Sequence, residues 1–222
     1  MSELFLIRHG QASYGSDEYD RLSALGRKQA QWLGAYFRAR AITPDHIITG
    51  TQSRHRETLE AMIARWGIRP AIELDERWNE IDFQELVEGF SRQHPEIGHY
   101  SADQPKSFFK VMRRALLAWS EDEIEGALRE DWSQLQARVS GALRDIQSRC
   151  GKVLVISSSG AIATALMHIM RFPAQTHADL YVQARNTGFS ECFFNAEVMR
   201  VTAINQTPHL DMPERQDSLT FI

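Results

Sequence analysis

The chain has 222 residues, which predicts one domain, and a domain of this size buries about 70% of its unfolded surface without help from a metal or a disulfide. Hydrophobic residues make up 43% of the sequence and charged residues 24%, with a formal net charge of −4. This composition excludes a largely disordered chain, a fibre and the strongly basic surface of a typical nucleic-acid-binding domain. A small basic pocket within an acidic protein remains compatible with it.

Three features of the sequence bear on cellular location, and all three favour the cytoplasm. No apolar run approaches the ~18 residues of a membrane span. The segment Met1–Ile7 has no basic residue and only four consecutive apolar ones, unlike a signal peptide. The two cysteines, Cys150 and Cys192, form no CxxC pair, which is typical of a reducing compartment. We therefore expect a cytoplasmic protein with neither a membrane nor a nucleic acid as its partner.

Strand and helix patterns alternate through the first third of the chain. Short apolar runs suit strands buried on both faces, and segments with one apolar face suit helices. In chain order we predict a strand at Leu4–Ile7, a helix from the N-cap Ser23 to about Phe37, a strand at His46–Thr49, a helix at Arg54–Trp66 and a strand at Ala71–Leu74. This alternation predicts an α/β fold with mostly parallel strands.

Residues from about 84 to 132 follow a different pattern, in which two helical segments flank a loop. The helices are predicted at Gln84–Gln93 and Lys106–Trp119, and the loop between them holds Pro95, Gly98 and Pro105. We interpret the region as a helical insertion after the third strand. Residues 1–222 are then one domain.

The last third returns to strand and helix patterns. We predict a helix at Ser133–Ser148, a strand at Val153–Ile156, a helix at Ala161–Met170 and a hairpin that joins Ser190–Phe194 to Val198–Ile204. The whole pattern predicts three layers, α/β/α, around a mostly parallel sheet.

Polar residues follow three of the predicted parallel strands. Arg8 and His9 come after the first strand, Arg54 after the second, and Ser157–Gly160 opens the helix after Val153–Ile156. Ligands of open α/β sheets bind beyond the carboxyl ends of the strands. Guanidinium groups match phosphate oxygens in pairs, and a helix N-terminus attracts anions. The sequence therefore predicts an anion pocket.

Chemistry at this pocket would centre on His9. A neutral imidazole can attack phosphorus if its second nitrogen keeps a proton on a fixed acceptor, for which we expect a backbone carbonyl of the next turn. Neighbouring arginines would lower the pKa of the ring and keep the attacking nitrogen free. The leaving oxygen needs a proton, and Glu80 is the best candidate donor, although Glu76 and Asp82 lie close to it in the sequence.

Four ordered segments resemble the histidine phosphatase superfamily, which includes the cofactor-dependent phosphoglycerate mutases. Arg8-His9-Gly10 after a first strand is similar to the opening motif of the family, whose histidine becomes phosphorylated. Leu22–Ala30 is similar to its L-[ST]-x-x-G-x-x-Q-A segment, and Arg54–Thr58 to its second phosphate-binding arginine, although Gly50-Thr51-Gln52 replaces the usual S-P-L. Glu80 lies in the E-x-D-F context of the proton donor of the family.

The resemblance implies a phosphatase that acts through a phosphohistidine on a small phosphorylated metabolite. His9 and Glu80 would be catalytic, and Arg8, Arg54 and Ser158 would bind phosphate, with no cofactor and no metal. One departure concerns Ser158, because the family has a second histidine there, in S-H-G-G. Loss of such a donor costs about 3 to 4 kcal/mol, so weak activity is expected.

Other functions stay open at this point. The Ser158 substitution is compatible with an impaired pseudoenzyme that only binds a phosphate ligand, or with Ser158 serving only as an N-cap. The resemblance also allows a mutase, although the W-N of typical phosphoglycerate mutases is missing from Gln11–Asp20. A serine hydrolase built from Ser158, Asp179 and His209 is disfavoured because Ile156 replaces the glycine of a nucleophile elbow. The eight histidines show no HExxH spacing, which disfavours a metal hydrolase.

The predicted helix at Lys106–Trp119 has two contrasting faces. Its basic face could bind a second anionic group of the substrate, although a solvated face is the simpler interpretation. Its apolar face, which carries Phe108, Phe109 and Trp119, fits either the core or a homodimer contact. The basic residues are Lys106, Lys110, Arg113 and Arg114.

Overall fold

A computed structural model describes residues 1–13, 20–69, 71–97, 105–126 and 128–221, with the backbone alone at 105 and 106. The predicted loop residue Gly98 and the side chain of Lys106 therefore lie outside the described part. None of the helices within these ranges is both long and apolar enough to cross a membrane.

A six-stranded sheet in the order β3-β2-β4-β1-β5-β6 forms the centre of the molecule. Its first four members run parallel, and the last two form an antiparallel hairpin against β1. The strands are β1 (Ser2–Arg8), β2 (His46–Thr49), β3 (Ile72–Leu74), β4 (Lys152–Ser157), β5 (Phe189–Phe194) and β6 (Met199–Gln206). The predicted mostly parallel α/β sheet is confirmed.

The central strands β1 and β4 are apolar throughout because both of their faces are covered. Leu4 and Leu6 belong to one core cluster, whereas Phe5 and Ile7 belong to the cluster on the opposite face. Successive side chains of a strand point to opposite faces, so a continuous apolar run is what a sheet between two helix layers requires. The three predicted layers follow from this.

Helices cover both faces of the sheet. Two of them pack with Phe5 and Ile7, namely α1 (Ala24–Ala39) and α2 (Ser53–Trp66). The others contribute to the opposite cluster: α3 (Phe83–Gln93), α4 (Pro105–Ser120), α5 (Trp132–Gln147), α6 (Ser159–Met170) and α7 (Ala174–Gln183). As predicted, Ser23 is the N-cap of α1, where its hydroxyl accepts a hydrogen bond from the backbone N–H of Gly26.

Helix α7 was not predicted from the sequence. Its buried side chains are His177, Ala178 and Tyr181, so it lacks an apolar stripe at helical spacing. The His177 ring packs edge-on against Trp132 and is within hydrogen-bond distance of Thr164 Oγ1 (3.0 Å). The helix is held in place by these tertiary contacts, which its own sequence does not reveal.

Candidate active site

The site lies where the carboxyl ends of β1, β2 and β4 meet. Arg8 is the register partner of Ser157 on the neighbouring parallel strand, so His9 and Ser158 follow side by side beyond the sheet. A cavity opens at this edge. It is lined by Arg8, His9, Ala12, Arg54, Glu80, Phe83, Phe108, Phe109, Ser159, Tyr181, Val182 and Phe221. Four of the five predicted site residues are therefore brought to one cavity.

The His9 ring is held in one orientation. Its Nδ1 donates to the carbonyl oxygen of Gly10 at 2.7 Å, because a carbonyl can only accept. The proton of a neutral ring then lies on Nδ1, and Nε2 carries the lone pair. Nε2 makes no hydrogen bond to another residue in the described part of the chain. The ring thus has the tautomer of a nucleophile, with the backbone acceptor that we predicted.

The electrostatic surroundings keep His9 neutral. Burial lowers its pKa well below the ordinary value, and the positive charges of Arg54 and Arg8 lower it further. Among the described residues, the charges that act on the desolvated imidazole are those of two guanidinium groups, which disfavour its protonated form. The attacking nitrogen is consequently unprotonated at neutral pH.

The Arg8 side chain is nine-tenths buried and held by distant backbone. Its Nη1 donates to the carbonyl oxygens of Ala184 (2.5 Å) and Phe221 (2.7 Å). These bonds fix the guanidinium at the cavity wall. They also draw Phe221, near the other end of the chain, into that wall.

Arg54 lies in the first turn of α2 and is almost fully buried. Its Nη1 donates to Asp20 Oδ1 at 2.7 Å, while Asp20 Oδ2 accepts from the backbone N–H of Ser53. Thr58, one helical turn later, accepts from the backbone N–H of Gly10 at 3.0 Å. The Arg-x-x-x-Thr segment therefore supplies both a guanidinium to the cavity and a support for the residue that holds His9.

Glu80 lies at the N-terminus of α6. Its Oε1 accepts from the backbone N–H of Gly160 (3.0 Å) and of Ile81 (3.1 Å), and its Oε2 accepts from Ser159 Oγ (3.2 Å). A β-carbon at Gly160 would approach Glu80 Oε1 to 2.3 Å, so glycine is needed for this contact. The carboxyl group is held by donors on the cavity side of the helix, as a proton-transferring group must be.

Ser158 differs from the other predicted site residues because it is fully buried and does not line the cavity. Its hydroxyl oxygen lies 2.7 Å from His55 Nε2. Ser158 is the N-cap residue of α6, but its side chain makes no cap hydrogen bond, so its hydroxyl is not used to cap the helix. Direct binding of phosphate by Ser158 stays a prediction.

His55 was missed by the sequence analysis. It is fully buried next to Arg54, and its ring centroid lies 5.7 Å from that of His9. Its position directly after Arg54, in the first turn of a helix that begins at the site, is the signal that points to it. The cavity walls from α7 and Phe221 had no comparable signal.

Five of the twelve residues that line the cavity are aromatic, namely Phe83, Phe108, Phe109, Tyr181 and Phe221. The basic residues predicted for a second anionic group do not line the cavity where their side chains are described. Lys110 and Arg114 are exposed, and Arg113 Nε is bonded to Asp179 Oδ1 at 2.5 Å.

The serine hydrolase alternative has no support in the geometry. Ser158 is paired with His55, Asp179 with Arg113, and His209 Nε2 with Thr187 Oγ1 at 2.8 Å. Burial lowers the pKa of His209 to about 3. The three groups of the hypothetical triad therefore have separate partners.

Comparison with known proteins gives a consistent result. The family model of the histidine phosphatase superfamily (branch 1) matches residues 4–207. Among solved structures, phosphoserine phosphatase from Entamoeba histolytica in complex with 3-phosphoglyceric acid is 19% identical, with a TM-score of 0.66 over 95% of this chain and 100% of that one. No protein in the curated set is significantly similar.

Two further structures are similar over nearly their whole length. Phosphoglycerate mutase from Bacillus anthracis is 15% identical with a TM-score of 0.66, covering 94% of both chains. The mycobacterial glucosyl-3-phosphoglycerate phosphatase with inorganic phosphate is 18% identical with a TM-score of 0.64, covering 95% of this chain and 100% of that one. At these identities the similarity establishes the fold.

Proposed function

The chain belongs to the histidine phosphatase superfamily, and from this premise we propose that it is a phosphomonoesterase that works through a phosphohistidine at His9. The resemblance found in the sequence is thereby confirmed at the level of the family. The observation that carries the mechanism is the Nδ1–H···O=C bond to Gly10, which leaves Nε2 as the lone-pair nitrogen of a ring at the cavity wall.

The reaction has two transfers. In the first, the Nε2 lone pair of His9 forms a bond to phosphorus, the bond to the ester oxygen breaks, and that oxygen takes a proton from Glu80. In the second, water gives a proton to the Glu80 carboxylate while its oxygen bonds to phosphorus. The phosphorus–Nε2 bond breaks, inorganic phosphate leaves, and the electron pair returns to the imidazole.

The charged groups divide the work between binding and proton transfer. Arg8 and Arg54 lie on the cavity wall, where their fixed guanidinium groups suit the oxygens of a transferring phosphoryl group. Glu80 must hold a proton for the first transfer and accept one in the second. The hydrogen bond that its Oε1 accepts from the backbone N–H of Gly160 keeps the carboxyl group oriented during both transfers.

A phosphoenzyme is the expected intermediate. Mixing the protein with a ³²P-labelled phosphate ester and quenching in alkali should leave label on the protein, and acid should release it, since a phosphorus–nitrogen bond is stable in alkali and hydrolysed by acid. Mass spectrometry should locate the label on the peptide that contains His9. Ester hydrolysis without any labelled protein would contradict the mechanism.

The same measurement separates the two alternative functions. A pseudoenzyme would bind inorganic phosphate without releasing it from any ester. A mutase would pass the label to a second hydroxyl of an added acceptor and release little free phosphate. Net hydrolysis, with the label leaving as inorganic phosphate, is the result that supports a phosphatase.

We further propose that the preferred substrates are small esters whose alcohol part is apolar or aromatic. Five of the twelve lining residues are aromatic, and the basic residues of α4 whose side chains are described do not line the cavity, so α4 offers a second charged group no partner among them. Such small phosphorylated molecules are the proposed partners. The cytoplasmic location stays a proposal as well, supported by two cysteines that form no disulfide.

Substrate preference should follow the aromatic wall. We expect kcat/KM for an aryl phosphate to exceed that for 3-phosphoglycerate by at least about tenfold, which corresponds to about 1.4 kcal/mol. Phe109→Ala should lower kcat/KM for the aryl ester several-fold by removing apolar contact. The control is Phe193→Ala, at an exposed position on β5 that does not line the cavity. Equal kcat/KM values for the two ester classes would contradict the proposal.

A further inference from the structure

A second buried imidazole lies behind the site and is not used in the mechanism above. The fully buried His55 ring lies 5.7 Å from the His9 ring between centroids, and its Nε2 is 2.7 Å from Ser158 Oγ. Ser158 in turn lies beside His9, since the backbone N–H of His9 donates to the carbonyl oxygen of the preceding Ser157. The hydrogen-bonded pair of His55 and Ser158 therefore connects α2 to the segment after β4, which lies beside His9.

Gly50 makes room for this imidazole. A β-carbon on Gly50 would lie 2.3 Å from His55 Nδ1 and 2.8 Å from His55 Cε1, far inside contact distance. Asn79 Oδ1 would also be close, at 2.8 Å. Because the backbone of Gly50 does not have a positive φ, the need for glycine is a matter of space and not of conformation. Gly50 and Ser158, which both depart from the family pattern, are thus both next to His55.

The hydrogen-bond direction between the two side chains follows from the surroundings of His55. Burial and the neighbouring charge of Arg54 lower its pKa, so the ring is neutral and has one N–H. Its Nδ1 is buried with no hydrogen-bond partner in the described part of the chain. A proton on Nδ1 would be a buried donor without an acceptor, which is unfavourable. The proton belongs on Nε2, which donates to Ser158 Oγ.

The Ser158 hydroxyl then has a defined role. Its oxygen is occupied as an acceptor, so its own proton is available to point elsewhere, and a hydroxyl that accepts a hydrogen bond becomes a better donor. Negative charge builds up on the phosphoryl oxygens next to His9 during transfer. A fixed dipole directed at that charge lowers the barrier without having to reorganise.

We propose that His55 is a positioning residue for phosphoryl transfer. It fixes the dipole of the Ser158 hydroxyl, which lies buried behind the cavity lining next to the segment of His9, in a space provided by Gly50. This proposal rests on the proposed function. It predicts that kcat depends on having one imidazole and one hydroxyl in contact at residues 55 and 158. Which of the two positions holds the imidazole should have a smaller effect.

An exchange of the two side chains tests this directly. H55S should lower kcat at least about tenfold and leave KM within about threefold, because ground-state binding by the arginines is retained. S158H should also be impaired, since it places a second imidazole in the space that His55 fills. The double variant H55S/S158H restores one imidazole and one hydroxyl to the pair, and its kcat should exceed that of H55S at least about fivefold.

A matched control separates positioning from packing. His177 is also a buried imidazole next to a hydroxyl, that of Thr164, and it does not line the cavity. H177S should lower the melting temperature and leave kcat unchanged. S158A removes only the hydroxyl group. If H55S does not fold, the kcat of S158A measures the effect of losing this hydrogen-bond donor. Its kcat should fall at least about tenfold with KM nearly unchanged.

The outcomes are distinct. An H55S or S158A protein that folds and retains kcat within threefold of the wild type would overturn the role of the pair, as would an exchange variant no faster than H55S. A wild-type protein that hydrolyses no phosphate ester would instead overturn the proposed function, and this inference with it. G50A should lower the melting temperature in the wild-type background and have less effect in H55S, which checks the packing independently of activity.

Discussion

Replacing His9 by glutamine is expected to abolish phosphatase activity, with a loss in kcat of at least about a thousandfold. Glutamine keeps a donor that can reach the carbonyl oxygen of Gly10, but it has no lone-pair nitrogen able to bond to phosphorus. Rates of phosphate release from an aryl phosphate would measure the loss. Circular dichroism would show that the fold is retained.

The control for this variant is His168→Gln. That histidine is partly exposed on α6, its Nε2 donates to the carbonyl oxygen of Gln136, and it does not line the cavity. Its activity should equal that of the wild type. If His9→Gln kept a tenth or more of the activity, a water molecule and not the imidazole would be attacking phosphorus, and the phosphohistidine mechanism would have to be abandoned.

Glu80→Gln should produce a loss whose size depends on the leaving group. An alkoxide needs a proton as it departs, so hydrolysis of an alkyl phosphate should slow by about a hundredfold or more. A nitrophenolate is stable without that proton, so hydrolysis of the nitrophenyl ester should slow much less in the first step. Measuring phosphoenzyme formation by rapid quench for both esters isolates this step from the second, where Glu80 serves as a base.

The nearby carboxylates offer a matched control, because the sequence alone could not separate them from Glu80. Glu76 is exposed in the preceding turn and does not line the cavity, so Glu76→Gln should leave both esters unaffected. Equal losses for the two esters in Glu80→Gln would mean that Glu80 does not protonate the leaving oxygen. A carboxyl group that only orients α6 would give that result.

The parts of the fold that could be predicted are those in which local sequence and tertiary environment agree. The short apolar runs of β1 and β4 favour strands between two covered faces, which the structure confirms, and His9 follows one of them directly. Helix α7 could not be found, because His177 takes the place of an apolar residue in its buried stripe and is satisfied by a partner on α6.

The candidate site also has residues that the sequence could predict and one that it could not. Arg8 is the last residue of a strand of the sheet, and Arg54 and Glu80 each come after one, so the topology predicts that they meet. The position of His55 depends on a contact between α2 and the loop after β4, more than 100 residues apart, and on the missing β-carbon of Gly50. Relations of this kind are properties of packing, and a single sequence does not display them.

The central position of β1 has a consequence for how the protein is made. Leu4 is flanked by Val153 on one side and by Cys192 on the other, so β1 acquires its two neighbouring strands only after about 150 and 190 further residues have been synthesised. The same delay applies to Arg8, because its guanidinium cannot bond to the carbonyl oxygen of Phe221 until that residue has been synthesised. Until then an apolar strand is exposed to unintended pairing, and we expect newly made protein to depend on chaperones and to acquire its anion site last.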